Sequence, residues 1–324
     1  MTGFFNYPEN FMPWYLIVVY LAAGIALLYY GAEWLVKGGV CIAERSGIPP
    51  LIIGLTLVSF ATSAPELVVS IKAAYSGNGD ISVGNVVGSN ICNIGLILGL
   101  SALLTPLAIQ KQLLKVDVPL LIALSLIFAG IGWYCSGFNR LSGLLFTLLL
   151  AGYIFWNIYS ARKSGEKGER SGDTLSIPAA FALVIIGLSA LVGGGHLLVE
   201  GGVATGKALG IREAVIGLTI VAIGTSLPEL ATSIVAALRK EADIAIGNVV
   251  GSNIFNILAI MGIAPLLKPL RSQSINIWDW AMMLLLTVLL YPIMKSDKKI
   301  SRKSGLLLVV LFIVYMVWIV YSAK

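Results

Sequence analysis

Ten long apolar runs divide the sequence and limit what it can fold into. They cover residues 14–36, 49–75, 80–106, 116–135, 141–161, 177–207, 212–238, 243–267, 277–295 and 304–322. Each reaches or approaches the ~20 residues that a helix needs to cross a bilayer, and none shows the alternating pattern of a barrel strand. Only 12% of the residues are charged, against about 25% in a soluble globular domain. The sequence therefore predicts an all-α integral membrane protein of about ten transmembrane helices.

The positive charges indicate how these spans are oriented. With ten spans, the even-numbered loops and both termini share one side of the membrane. Of the 22 Lys and Arg residues, that side has seven and the other side has 22 − 7 = 15. The positive-inside rule assigns the richer side to the cytoplasm, so both termini are expected to be extracellular. The net charge of +6 is thereby explained by topology, and we expect no nucleic-acid partner.

The sequence contains an internal duplication. The phrase GNVVGSNI occurs at residues 84–91 and again at 247–254, which are 163 positions apart. At the same offset, TS and PEL at 62–67 recur at 225–230. We therefore predict a first repeat at 14–161 (spans 1–5), a charged cytoplasmic linker at 162–176 and a second repeat at 177–322 (spans 6–10). Because five is odd, the second repeat enters the membrane from the opposite side, an arrangement that many secondary transporters use.

The first repeated phrase places a proline and a glutamate in the middle of spans 2 and 7. Pro65 and Pro228 lack an amide N–H, so each helix must kink or break there. Glu66 and Glu229 follow directly, and a charged residue at bilayer depth costs at least ~2.5–3.5 kcal/mol. Since intramembrane carboxylates are usually functional, this pair predicts a site for protons or cations.

The second phrase supplies neutral oxygens in spans 3 and 8. Ser89 and Asn93 are four residues apart and share a helix face, as do Ser252 and Asn256. We predict that Asn93 and Asn256 are ligands. A second set of asparagines can act either as ligands or as hydrogen-bonding partners between helices. This set comprises Asn85, Asn90, Asn248 and Asn253. The glycines of each phrase form G-x-x-x-G pairs, which favour close helix packing.

Two carboxylates surrounded by hydroxyls and amides make a hard, anionic oxygen cage. Ca²⁺ prefers six to eight oxygen ligands in a flexible geometry, and the sequence has no paired His and Cys set for zinc or copper. The three cysteines, Cys41, Cys92 and Cys135, are expected to pack as small apolar residues.

These motifs resemble those of the calcium:cation antiporter superfamily, and in particular of the prokaryotic sodium/calcium exchangers. ATSAPE at 61–66 and GTSLPE at 224–229 are similar to the two signature motifs of that family, and GNVVGSNICN at 84–93 and GNVVGSNIFN at 247–256 to their second halves. The resemblance covers nearly the whole chain. It implies a secondary antiporter of the prokaryotic plasma membrane that uses alternating access and is not an enzyme. It also implies a core of broken helices 2, 3, 7 and 8, transported calcium and sodium ions, and no cofactor.

The resemblance assigns roles residue by residue. Glu66 and Glu229 would be shared calcium ligands, with the backbone carbonyls of Thr62 and Thr225. Flanking sodium or water sites would be completed by Ser63, Ser226, Ser89, Ser252, Asn93 and Asn256. Ser59 stands where the second repeat has Ala222, and its hydroxyl would adjust a sodium site. The long spans 1 and 6 would slide across the remainder of the protein, with a monomer as the functional unit.

Two departures from the family pattern bear on the mechanism. The first motif begins with Ala61, where the second has Gly224. Asn256 stands where some prokaryotic relatives have aspartate, so only two acidic ligands are expected in the core. That count disfavours a potassium-cotransporting subtype.

Other functions stay open at this point. The two glutamates could each accept a proton, so their chemistry also allows a proton/calcium antiporter, although the motifs look more like the sodium branch. Broken helices and amides also occur in channel filters. GNGD at 77–80 matches a string found around the catalytic aspartate of intramembrane proteases, although it is also good turn chemistry, and we find no second aspartate deep in a span.

Overall fold

The computed structural model describes residues 12–164, 175–209 and 222–322. Within them, eight helices are long and apolar enough to cross a membrane, and one bent helix pair makes a ninth. The spans are Trp14–Ser46 (span 1), Pro50–Thr62 with Ala64–Tyr75 (span 2), Gly79–Leu104 (span 3), Leu113–Tyr134 (span 4), Arg140–Ser164 (span 5), Ile177–Ala208 (span 6), Ala242–Leu267 (span 8), Ile277–Asp297 (span 9) and Arg302–Ser322 (span 10). These bounds agree with the predicted all-α membrane fold.

Span 7 is described only in part, as the helices Ala222–Gly224 and Leu227–Leu238. The remainder of this predicted span, 212–221, and residues 165–174 of the predicted linker lie outside the described residues.

In the described residues, spans 2, 3 and 8 depart from a regular α-helix. Span 2 bends by 45° between its two helices, at the proline that predicted the break. Spans 3 and 8 remain helical throughout but become π-helical at Asn93–Leu98 and Asn256–Ile260. Spans 3 and 8 are therefore not interrupted like span 2. Neither has a proline at this point, so each can change its helix type and keep its backbone hydrogen bonds.

Spans 1 and 6 pack against each other through a line of small residues. A Cβ atom added at Gly31 would lie 2.8 Å from the Gly187 carbonyl oxygen, and one added at Gly187 would lie 2.7 Å from the Gly31 carbonyl oxygen. Gly24 meets Gly194 in the same way. Small residues let two membrane helices approach until their backbones touch, so spans 1 and 6 form one packed pair.

Four short strands form two antiparallel pairs, and each pair joins one strand from each repeat. Strand β1 (Leu107–Ala108), after span 3, pairs with β4 (Lys299–Ile300), before span 10. Strand β2 (Gly137–Phe138), before span 5, pairs with β3 (Leu270–Arg271), after span 8. Strand β1 of the first repeat is equivalent to β3 of the second, and β2 is equivalent to β4. The pair β1–β4 is therefore equivalent to the pair β3–β2, as expected for two repeats related by an approximate two-fold axis. The repeats therefore interlock and do not form separate bodies.

The second G-x-x-x-G pair packs closely on span 2. A Cβ added at Gly247 or Gly251 would lie 2.8 Å from the Leu51 carbonyl oxygen and 2.7 Å from the Leu55 carbonyl oxygen respectively, so span 8 packs directly on span 2. Among the described residues, Gly84 and Gly88 have no backbone neighbour this close. The predicted close contact is thus confirmed for the second pair, while residues 214–218, the counterpart of the segment that it contacts, lie outside the described residues.

The cysteine prediction is partly wrong. Cys41 and Cys92 are buried, but Cys135 is exposed. Span 4 ends at Tyr134, so Cys135 lies just beyond the helix, where no neighbouring span covers it.

Candidate functional site

Glu66 and Glu229 occupy equivalent positions beside the helix breaks. Each lies in the first turn of its helix, Ala64–Tyr75 and Leu227–Leu238 respectively, with a proline next to it. The N-terminal end of a helix carries partial positive charge, which favours a carboxylate there. Both side chains are 0% exposed. The breaks therefore position two acids inside the protein at helix ends suited to negative charge.

Each glutamate is hydrogen-bonded by the serine of the opposite repeat. Ser63 Oγ donates to Glu229 Oε1 at 3.0 Å, and Ser226 Oγ donates to Glu66 Oε1 at 3.4 Å. Because each serine directly precedes the helix of its own glutamate, these reciprocal bonds bring the two carboxyl groups to one place between the repeats.

Asn93 and Asn256 are held by their amide nitrogens. Asn93 Nδ2 donates to Asn253 Oδ1, and Asn256 Nδ2 donates to Asn90 Oδ1, both at 3.1 Å. Asn90 and Asn253 therefore act between the repeats as hydrogen-bonding partners, one of the two roles left open for them.

Among the predicted ligands that the structure describes, four side-chain oxygen atoms, two from each repeat, are buried without a hydrogen-bond partner: Glu66 Oε2, Glu229 Oε2, Asn93 Oδ1 and Asn256 Oδ1. A buried oxygen without a partner is costly, and oxygens of these two kinds are what hard cations bind. The described residues contain no cluster of three or more His, Cys, Asp or Glu. The donor set thus fits a hard cation that two carboxylates neutralise.

Hydroxyl groups from both repeats lie close to one another at this site. Thr62 Oγ1 donates to Asn248 Oδ1 at 3.0 Å and lies 3.4 Å from Ser252 Oγ. Ser226 Oγ lies 3.5 Å from Ser89 Oγ. The hydroxyl residues that the sequence predicts for the site therefore form contacts between the two repeats.

Three further predicted residues, Ser59, Thr225 and Ala222, lie at or before the helix breaks. Ser59 Oγ donates to the Thr56 carbonyl at 3.2 Å. Thr225 lies in the turn that separates the two described helices of span 7. Ala222 begins the first of those helices, and its side chain is outside the described residues.

The departure at Ala61 and Gly224 has a packing explanation. A Cβ added at Gly224 would lie 2.4 Å from Val199 Cγ2 of span 6. Ala61 accommodates its methyl group with 6% of the residue exposed. A methyl group in the second motif would therefore have to displace the Val199 side chain, whereas the first motif already accommodates one.

Asn85 and Asn248 connect the glutamate helices to the following spans within each repeat. Asn85 Nδ2 donates to the Glu66 carbonyl at 3.2 Å and to Ser70 Oγ at 3.0 Å. Asn248 Nδ2 donates to the Glu229 carbonyl at 3.4 Å and to Ser233 Oγ at 2.9 Å. Sequence reasoning missed this role of Ser70 and Ser233, although both recur at the 163-residue offset.

Span 4 contains a buried aspartate close to its start. Asp117 lies in span 4 and is 0% exposed. Asp80 accepts hydrogen bonds from the backbone N–H and hydroxyl of Ser274, both at 3.0 Å, so it supports the loop before span 9. GNGD forms the predicted turn, with Gly77 at φ +81°.

Replacing Ser63 or Ser226 with alanine should lower the apparent affinity for calcium by about 10-fold. A hydrogen bond to a charged group contributes about 1.5–3 kcal/mol, and losing it leaves the opposite carboxylate less well oriented. The calcium concentration that gives half-maximal uptake into proteoliposomes measures this. Ser189→Ala is the control, since that hydroxyl bonds the Ile185 carbonyl of its own helix. Equal affinities in all variants would show that the serines do not orient the glutamates.

Comparison with known proteins gives a consistent result. A family model described as sodium/calcium exchanger protein matches residues 16–159 and 179–321. The uncharacterized membrane protein MJ0091 of Methanocaldococcus jannaschii is 36% identical over 298 residues, covering 92% of this chain and 96% of that protein. The sodium/calcium exchanger MaX1 of Methanosarcina acetivorans is 32% identical over 346 residues, covering 93% of this chain and 97% of that protein.

A solved structure also matches. The sodium-calcium exchanger NCX_Mj, soaked with Na⁺ and Sr²⁺, is 35% identical and gives a TM-score of 0.82, covering 94% of this chain and 99% of that chain.

Proposed function

Because the chain belongs to the sodium/calcium exchanger family, we propose that this antiporter exchanges sodium ions for calcium across the membrane by alternating access. The four buried oxygens of Glu66, Glu229, Asn93 and Asn256 that lack hydrogen-bond donors carry the proposal. They give a divalent cation two full negative charges and neutral oxygens between the repeats, where both membrane faces can reach it in turn.

In this proposal Glu66 and Glu229 bind calcium together, helped by the carbonyls of Thr62 and Thr225. Sodium ions compete for overlapping oxygens that include those of Ser63, Ser226, Ser89 and Ser252. Both carboxylates remain available to either ion, because each is hydrogen-bonded through one oxygen only.

The packed pair of spans 1 and 6 is the candidate moving part. Span 1 packs along helix Leu227–Leu238, and Arg239 just beyond it forms an ion pair with Glu33 of span 1, with Nε 2.9 Å from Glu33 Oε1. In the described residues span 6 makes no comparable contact with Ala64–Tyr75, the equivalent helix. We infer that the protein is closed at the end where Arg239 lies. By the positive-inside rule that end is cytoplasmic, which makes this an outward-facing state.

The coupling ion is tested by calcium uptake into proteoliposomes loaded with sodium. We expect uptake that depends on internal sodium, saturates with calcium and accelerates when the membrane potential is set positive inside sodium-loaded vesicles, since electrogenic exchange moves net positive charge outward with sodium. A pH gradient without sodium should drive no uptake.

A proton gradient that drives calcium uptake in the absence of sodium would instead establish the proton/calcium antiporter. Flux that proceeds without any counter-ion would indicate a channel.

A further inference from the structure

Asp117 is a buried acid that the exchange mechanism does not use. It lies at the end of the π-helical segment Leu113–Asp117 of span 4 and is 0% exposed. Its Oδ1 accepts a hydrogen bond from the Tyr153 hydroxyl of span 5 at 3.5 Å, and its Oδ2 is buried without a partner. Ionisable groups that lack a partner inside a membrane protein often bind or relay protons.

We propose that Asp117 is a proton-binding site, separate from the calcium site. An ionised carboxylate would leave Oδ2 as an unneutralised charge in the protein interior, which is far more costly than a neutral carboxyl group. Binding a proton from water at Oδ2 removes the charge, while Oδ1 continues to accept the Tyr153 hydrogen bond.

The surroundings favour a proton over a metal cation. A hard cation needs six or more oxygens, whereas Gln112 turns its amide nitrogen towards Asp117 and Asn157. Gln112 Nε2 donates to Asn157 Oδ1 at 3.5 Å, and Asn157 Nδ2 donates to the Tyr153 carbonyl at 3.0 Å. The neighbouring cavity of about 320 Å³ has apolar walls that include Leu120, Leu148 and Trp156.

No basic group in the described residues neutralises Asp117. From span 5 the titratable group that faces it is Tyr153. Spans 8 and 9 also pack against span 4, but neither presents a charged side chain to this carboxyl in the described residues. On its own span, Lys115 is exposed and forms no ion pair with Asp117.

The second repeat contains a matching pair in a different setting. Tyr315 donates to Asp279 Oδ1 at 2.7 Å, again across 36 residues of sequence, and the Asn276 backbone N–H donates to Asp279 Oδ2 at 3.0 Å. Asp279 caps the start of span 9 and is only partly buried. Both of its oxygens have donors, so this carboxyl can stay ionised. The pair Asp279–Tyr315 therefore provides an internal control for Asp117–Tyr153.

Infrared spectroscopy of the purified full-length protein tests the proposal without depending on transport. The spectra are recorded in H₂O and D₂O at neutral pH, in a Glu66→Gln/Glu229→Gln background that removes the glutamate signals. We expect a C=O stretching band of a protonated carboxylic acid that shifts in D₂O. The band should be lost in Asp117→Asn and retained in Asp279→Asn.

A band that persists unchanged in Asp117→Asn, or that is absent from the background protein, would overturn the proposal. Tyr153→Phe provides a second measurement should Asp117→Asn fail to fold. It keeps the proton but removes the hydrogen bond, so the band should move to higher frequency. An unmoved band in Tyr153→Phe would equally count against Asp117 as the proton carrier.

Discussion

Replacing Glu66 or Glu229 with glutamine should reduce calcium transport by about 100-fold or more. Glutamine keeps the size and one oxygen of the side chain but removes the charge, so the site would offer calcium one negative charge where two are needed. Removing one partner of a buried charge interaction costs about 2–5 kcal/mol, and about 2.7 kcal/mol corresponds to 100-fold in affinity. Initial rates of radioactive calcium uptake, together with calorimetric calcium binding, measure the effect.

The approximate two-fold axis makes the two substitutions comparable, and we expect their effects to agree within a few fold. Glu200→Gln is the control, since Glu200 pairs with His196 at 3.1 Å one turn away on span 6 and lies outside the site. A variant of Glu66 or Glu229 that transports calcium at the original rate would refute the shared-ligand proposal.

The duplication explains why so much of this site could be predicted from sequence. A 163-residue offset identified Glu66 with Glu229 and Asn93 with Asn256, and matched residues of inverted repeats meet where they lie close to the common axis. The offset does not tell which residues of one repeat form hydrogen bonds with which residues of the other. The bonds from Ser63 to Glu229 and from Asn93 to Asn253 depend on the distance between the repeats, which packing of spans 2 and 8 determines.

Asp117 was missed because of a small error in a helix boundary. The apolar run places the start of span 4 at residue 116, so Asp117 is only its second residue. The helix begins at Leu113, with a π-helical segment that ends at Asp117. Polar Lys111, Gln112 and Lys115 lower the local hydropathy, so sequence cannot distinguish a buried π-helical turn from a loop at the membrane edge.

Replacing Gly251 with valine should abolish transport by disrupting the protein core. A Cβ there would lie 2.6 Å from Ser59 Oγ, 2.7 Å from the Leu55 carbonyl oxygen and 2.8 Å from Leu55 Cα. Two of these atoms belong to the backbone of span 2, so no side-chain rotation relieves the contact. Overpacking costs about 1–3 kcal/mol or more, and moving span 8 would also disturb the contacts of Ser252 with Thr62 and of Asn256 with Asn90.

The expected result is a lower unfolding temperature in detergent and no measurable calcium binding by the folded fraction. Gly152→Val is the matched control, because a Cβ at Gly152 meets no described atom within 4 Å. That variant should keep the stability and transport of the unmodified protein. If Gly251→Val were equally stable and active, the contact between spans 2 and 8 would not hold the two repeats at the spacing that the reciprocal hydrogen bonds require.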